Sequence, residues 1–362
     1  MAMTRGRGPV GRAGVAGVVA ALALTLGMGM PAAGADQMGA LRHPASRFSV
    51  MTRNLYLGAD LTPLVSAPPD QLSQAVVSVL ANVEMSDPPA RMKAVAAEID
   101  HTRPTVVDLQ EAADWTISAV PPYTTAASYD FTALILQDLA ALGDRYKVAV
   151  SQDNFDSSTL NAQLPGRFID RDVILVKSSV PVLRTGAAHF ADQLTYPDTP
   201  IGNVTFTRGY EWANLKLGPG LVRAVNTHLE AYSPEVAGQQ ANQLTAALGR
   251  SHIPTVVGGD MNSDPASPDS AAAADNFAAA GYVDQYSALH LADPGYTCCR
   301  NATLTGGTLD QRIDHIYAKG FVVPLSATLV GVTPISDTRP MWPSDHAGLV
   351  VRMFAGHFRF AP

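Results

Sequence analysis

Asp260 and Asn262 stand two residues apart in the stretch Val256-Val257-Gly258-Gly259-Asp260-Met261-Asn262-Ser263-Asp264-Pro265. The apolar run Ile253 to Val257 reads as a buried strand and the two glycines as the place where the backbone turns. In extended chain the two polar side chains that follow share one face. A carboxylate and a carboxamide at a strand's C-terminal edge can hold a water and a phosphate oxygen together, as metal-assisted phosphoester hydrolysis requires. Both residue types also favour plain turns, so the pair gains meaning from what accompanies it. Similar polar groups recur at the ends of other predicted strands: Thr52-Arg53-Asn54, Gln110-Glu111, Asn226-Thr227-His228-Leu229-Glu230, Arg312-Ile313-Asp314-His315-Ile316 and Ser344-Asp345-His346. Each has a bland reading alone: Glu111 as a helix cap, Asp314 as the partner of Arg312, either histidine as a satisfied core residue. Six strand ends carrying carboxylate, carboxamide or imidazole are hard to explain as solvation. Arg171 and Arg208 also border predicted strands, where either could reach a phosphate, although Arg171 has Asp170 and Asp172 as neighbours to pair with.

The elements that must position these groups follow from hydrophobic periodicity. Strands are predicted over Arg47–Tyr56, Thr105–Gln110, Tyr146–Ser151, Ile169–Lys177, Arg312–Tyr317, Phe321–Val332 and Ala347–Phe354. Glu211–Leu217 and Leu221–Thr227, joined through Gly-Pro-Gly, form a hairpin. Helical spacing marks Ala90–Arg103, ended by Pro104, then Phe131–Leu142, closed by Gly143, and Glu235–Arg250. Asn154-Phe155-Asp156 reads as a turn. Mixed alternation with both hairpins and crossovers indicates an α/β protein of layered sheets covered by helices.

The chain has 362 residues, 47% hydrophobic and 16% charged, which excludes disorder and is enough for a large core. Arg5, Arg7 and Arg12 precede an apolar run from Ala13 to Met30 and the small residues Ala33 and Ala35, the plan of a secretory signal cut after Ala35. A retained membrane anchor is the alternative. Residues 1–35 are therefore read as a signal peptide, 36–46 as a segment expected to be mobile, and 47–362 as one catalytic domain. Cleavage takes the net charge from −7 to −10, so the mature chain lacks the broad basic face of a tight nucleic-acid binder. The only cysteines, Cys298 and Cys299, are adjacent. They fit either a vicinal disulfide or two partly buried thiols in a loop near the rim of the site.

The order of these motifs resembles the endonuclease/exonuclease/phosphatase superfamily, which includes deoxyribonuclease I-like nucleases, neutral sphingomyelinases and inositol polyphosphate 5-phosphatases. The resemblance runs from about Phe48 to Met353. It rests most on Gln110-Glu111, Asn226-Thr227-His228-Leu229, Gly259-Asp260-Met261-Asn262, Arg312-Ile313-Asp314 and Ser344-Asp345-His346. It implies a four-layer sandwich of two packed mixed β-sheets flanked by helices, with the site at one edge of the sheets. It implies that Glu111 binds a divalent metal, assisted by Asn54 and Asp345, and that Asp260 positions or deprotonates the attacking water. Asn262 and His228 would hold phosphate oxygens, and Asp314 would orient His346. Oxygen-only ligands suit Mg²⁺ or Mn²⁺ rather than zinc. A carboxylate behind His346 would make it a cationic donor to phosphate, and His228 is expected to do the same from the other sheet.

These expectations amount to a secreted, metal-dependent phosphoesterase, with diesters favoured because no basic cluster for a multiply phosphorylated headgroup is evident. Nucleic acid and a phospholipid headgroup fit as substrates about equally, and no obligate protein partner is evident. The alternatives are a phosphomonoesterase and a non-catalytic secreted binding protein on the same fold.

Overall fold

The computed structural model describes residues 45–121, 124–160, 164–249, 251–336 and 340–356. The signal-like segment lies outside them. Among the described residues no helix is long and apolar enough to cross a membrane.

The strands are β1 (Ala45–Asn54), β2 (Val106–Gln110), β3 (Asp114–Ile117), β4 (Ala127–Asp130), β5 (Tyr146–Asp156), β6 (Gly166–Lys177), β7 (Val182–His189) and β8 (Thr195–Thr199). They continue as β9 (Gly202–Thr205), β10 (Gly209–Leu217), β11 (Gly220–His228), β12 (Thr255–Asp260), β13 (Val283–Asp284), β14 (Asp314–Lys319), β15 (Val322–Val330) and β16 (Gly348–Gly356). The helices are α1 (Thr62–Ser66), α2 (Leu72–Met85), α3 (Pro88–Thr102), α4 (Phe131–Ala141), α5 (Pro234–Leu248) and α6 (Ala272–Ala279). One sheet runs β15-β16-β1-β2-β6-β3-β4, with β5 on β6; the other runs β13-β14-β12-β11-β10-β7. Both are mixed, because β1 with β2 and β11 with β12 pair in parallel while their other neighbours are antiparallel.

Period-two alternation sorts the apolar residues of the two sheets into three cores. Val50, Val106, Ile174, Ala224, Val256 and Val351 meet between the sheets. Their neighbours Met51, Val107 and Val173 pack instead with Val95, Ile99 and Ile135 of α3 and α4. Val225 and Val257 pack with Ala241, Leu244 and Phe277 of α5 and α6. The result is helix, sheet, sheet, helix. Asp87 and Ser233 cap α3 and α5 by accepting from the backbone N–H of Ala90 and Val236, each followed by proline in the first turn.

The sheets are also joined by buried polar bridges. Gln110 Nε2 donates to Asn226 Oδ1 at 2.6 Å, and Asn226 Nδ2 donates to Leu109 O at 2.8 Å and to Glu211 Oε1 at 2.7 Å. Thus Gln110 and Asn226, two of the most recognisable motif residues, are struts rather than lining of the cleft. Two buried arginines hold the chain ahead of β16. Arg53 Nη1 donates to His346 O at 2.6 Å, and Arg91 Nη1 donates to Leu55 O at 2.7 Å and Pro343 O at 3.1 Å.

Several local expectations are revised. The strand before Asp260 does not end at Val257; it runs through both glycines, which are sites of close approach rather than a turn. A Cβ on Gly258 would meet the Asp108 carboxylate from the facing sheet, and one on Gly259 would meet Thr227 O on β11. Asn154 to Asp156 belongs to β5 instead of a turn, because Phe155 and Asp156 pair with Asp170 and Ile169 of β6 across a bulge at Asn154. The α2 and α6 helices and strands β3, β4, β7, β8, β9 and β13 were not anticipated.

Two expectations follow. Gly258→Ala and Gly259→Ala should each destabilise by about 1–3 kcal/mol or more through overpacking, seen as a lowered denaturant midpoint; an unchanged midpoint would contradict the close approach. On β13, Asp284 lies 3.1 Å from His315 Nδ1 and also pairs with Arg312, anchoring the approach to β14. Burial opposes its charge, yet His315 and Arg312 hold its carboxyl well below the usual range. A depressed folded-state pKa means stability that is present above the unfolded value of about 3.9 and is lost as pH falls through the folded one. Asp284→Asn should therefore lower stability at neutral pH and flatten its decline in acid, read from chemical denaturation between pH 7 and about pH 2.

Candidate active site

Strand register brings the chemistry together. On β11, β12 and β14, His228 stands opposite Asp260 and Asp260 opposite Asp314, three neighbours in one row. In the other sheet Asn54 is paired with Gln110, and Glu111 follows at the break between β2 and β3. Glu111 has φ 53° and Asn262 φ 46°, left-handed conformations uncommon away from glycine and concentrated where function requires them. Asn262 therefore does not continue an extended chain. It closes an Asx turn in which its N–H donates to Asp260 Oδ1 at 2.9 Å.

Glu111, Arg208, His228, Asp260, Asn262, Asp345 and His346 line one cleft of about 580 Å³. Asn54 and Asp314 lie fully buried beneath it. Asp314 Oδ2 is 2.8 Å from His346 Nδ1. Around Asp260 Oδ2 stand Asn54 Nδ2 at 3.0 Å, His228 Nε2 at 3.7 Å and His346 Nε2 at 3.8 Å.

Asn54 lies between two carboxylates of the site. Its Nδ2 donates to both Glu111 Oε1 and Asp260 Oδ2, each at 3.0 Å, while its Oδ1 accepts from Tyr56 N–H at 2.9 Å. Through its two N–H groups Asn54 links the two carboxylates. Arg171 does not reach the cleft. On β6, Asp170, Asp172 and Ile174 face the second sheet, so Arg171 points with Val173 and Leu175 to the helix side, pairing with Asp130 at 3.1 Å and Asp114 at 3.9 Å.

The two imidazoles are held in opposite states. Burial opposes charge on His346, but Asp314, Asp345 and Asp260 together hold it well above its ordinary range. For His228, burial, Arg208 and His346 all push it well below. Arg208 Nη1 lies 2.9 Å from His228 Nδ1, and a guanidinium can only donate, so Nδ1 is bare and Nε2 carries the hydrogen toward Asp260. The expected cationic His228 is corrected to a neutral donor. Asp260 is pushed up to about 6, by burial first and then by Asp314. Glu111 is pushed up to about 7 by burial, Asp345 and Asp170.

Those crowded carboxylates bear on a metal. Glu111 and Asp345 offer only oxygen, and the crowding that raises Glu111 would be relieved by a hard divalent cation completing its shell with water and substrate phosphate. Two other groups have donor atoms within 4.8 Å of one another, Asp260 with Asp314 and His346, and Cys298 with Cys299 and His346. In the first, Asp314 and His346 already satisfy each other.

Sequence reasoning missed Asp170, Tyr56, Arg300, Tyr196 and Tyr232, all lining the cleft. Alternation along β6 could have favoured Asp170 over Arg171. Arg300 had no such signal: its guanidinium lies 5.0 Å from the Trp342 ring centroid, with Nη1 buried and without a partner among the described residues. Cys298 and Cys299 are joined by a disulfide at the rim, Cys298 buried and Cys299 exposed.

The chain matches the Endonuclease/Exonuclease/phosphatase family over residues 79–346 and belongs to it. No curated protein matches it significantly. Among solved structures it is similar to a family member from Bacteroides thetaiotaomicron, with a TM-score of 0.58 and 13% identity over 87% of this chain and 100% of that one. A mannosyl-6-phosphatase from Bacteroides thetaiotaomicron VPI-5482 is similar at TM-score 0.55 and 14% identity, over 84% and 99% of the two chains. A family protein from Leptotrichia buccalis C-1013-b is similar at TM-score 0.55 and 12% identity, over 84% and 99%. At such identities the likeness is one of fold, mixed sheets packed between helices. The family comprises divalent-metal-dependent hydrolases of phosphoester bonds.

For the tautomer, NMR of the imidazole nitrogens at neutral pH should show His228 protonated at Nε2, and Arg208→Met should move its titration upward. Wild-type protein protonated at Nδ1 would contradict the arrangement.

Proposed function

We propose that this chain is a secreted, Mg²⁺- or Mn²⁺-dependent phosphodiesterase that cleaves a P–O bond by direct attack of water. The observation that carries this reading is Asp260 Oδ2 set among Asn54 Nδ2, His228 Nε2 and His346 Nε2 in the floor of the cleft. Asp260, raised to about 6, is basic enough to take a proton from water near neutral pH. His346, kept charged by Asp314 through Nδ1, offers Nε2–H to phosphoryl oxygen as negative charge grows. His228 offers a second, neutral N–H. Asn262 lines the same cleft, but its Nδ2 already donates to Leu229 O at 3.0 Å, which supports a positioning role as well as any phosphate contact.

Glu111 and Asp345 are the residues that would hold the cation, which when bound would polarise a phosphoryl oxygen and stabilise the leaving group. The cleft wall beyond this polar floor is apolar and aromatic: Leu57, Leu61, Val65, Phe206, Tyr196 and Tyr232. A wall of that kind favours an organic group on the far side of the phosphate, hence a diester. Arg5, Arg7 and Arg12 ahead of the apolar run support export.

The test uses the purified chain with Mg²⁺ or chelator on plasmid DNA, RNA, sphingomyelin vesicles and a generic phosphodiester. Metal-dependent turnover of at least one diester is expected, and His346→Ala should lower kcat about 10²–10³-fold. Turnover that survives this substitution belongs elsewhere; release of phosphate from monoesters alone would favour the phosphatase reading, and no metal-dependent turnover the binding protein.

A further inference from the structure

We infer that reduction of the Cys298–Cys299 disulfide creates a second metal site in the cleft, specific for a thiophilic cation of the Zn²⁺ class and built from both cysteine sulfurs and His346 Nε2. The three donor atoms already lie within 4.8 Å of one another, with Cys298 Sγ 3.5 Å from His346 Nε2. Asp314 supplies the outer partner such sites require, since its carboxylate receives His346 Nδ1–H at 2.8 Å and so directs Nε2 to a ligand. Two sulfurs and an imidazole are soft donors, unlike the oxygens of Glu111 and Asp345. While the sulfurs are bonded to each other, neither is a thiolate and this site does not exist. Cys299 is exposed, so a dithiol can reach it.

One thiolate of the dithiol attacks Cys299 Sγ, and the bond to Cys298 breaks with its electron pair leaving on Cys298 Sγ. The second thiolate then attacks the reductant's own sulfur, closing its disulfide and releasing Cys299 Sγ. Two electrons have passed to the cysteines. A cation then displaces the protons of the thiols and of His346 Nε2, with water completing its shell. Because His346 is consumed as a ligand, and resting for this part on the proposed function, phosphoester hydrolysis stops.

The probe is Cd²⁺ alone, added to the full chain after reduction with a phosphine and removal of the phosphine under argon. We expect one equivalent of Cd²⁺ to develop thiolate-to-metal charge-transfer absorbance in the reduced protein and no such absorbance in the oxidised protein. Asp314→Asn, which keeps every ligand, should weaken binding about 10–100-fold, and His346→Ala should weaken it at least as much, with two free thiols still titrating in both. Reduced protein that shows two thiols but no such absorbance overturns the inference, as does binding unaffected by His346→Ala. In excess Mg²⁺, Cd²⁺ should abolish diester hydrolysis by the reduced form only. Absence of hydrolysis from both forms counts against the proposed function and leaves the binding result to stand by itself.

Discussion

A single carboxamide connects the two halves of the site. Asn54, at the end of β1 in one sheet, gives one N–H to Glu111 beside it and the other to Asp260 across the sheet interface. Two buried carboxylates repel each other strongly at low dielectric, and an arginine between them would neutralise the charge that a cation must meet. An amide does neither. It satisfies both acceptors without adding charge, provided that the sheets are held in register. The bridge from Gln110 to Asn226 and the grip of Arg53 on His346 O supply that register from below and from the side.

On this frame the chain differentiates two chemically identical side chains by what stands behind each. Arg208 behind His228 and Asp314 behind His346 are both within hydrogen-bond reach of Nδ1, at 2.9 and 2.8 Å. One partner can only donate and the other only accept, so the rings are driven to opposite charge states while both direct Nε2 toward Asp260. Burial raises the stakes in each case, because the effect of a neighbouring charge grows as water is removed.

The apolar periodicity made most site-bearing strands and α3, α4 and α5 legible, since alternation or a 3.6-residue repeat survives without knowledge of neighbours. It was silent on short elements such as β3, β4, β8 and β9, whose pairing partners rather than composition make them strands. The glycines before Asp260 were read as a turn because local rules favour that use. Their real reason, the closeness of Asp108 and Thr227, lies more than 30 residues away in the chain for each.

Residue order by itself determined which side chains are available and that they end strands: Glu111, His228, Asp260, Asp314 and His346 could be named without coordinates because strand ends are where a layered α/β fold exposes polar groups to a shared edge. Tertiary structure alone decided what each touches there. Whether Asn54 bridges the two carboxylates, whether Arg171 or Asp170 reaches the cleft, and whether His228 carries charge all depend on distances of a few ångströms between segments remote in sequence. Coulomb energy and hydrogen bonding vary steeply over such distances, and no local pattern encodes them.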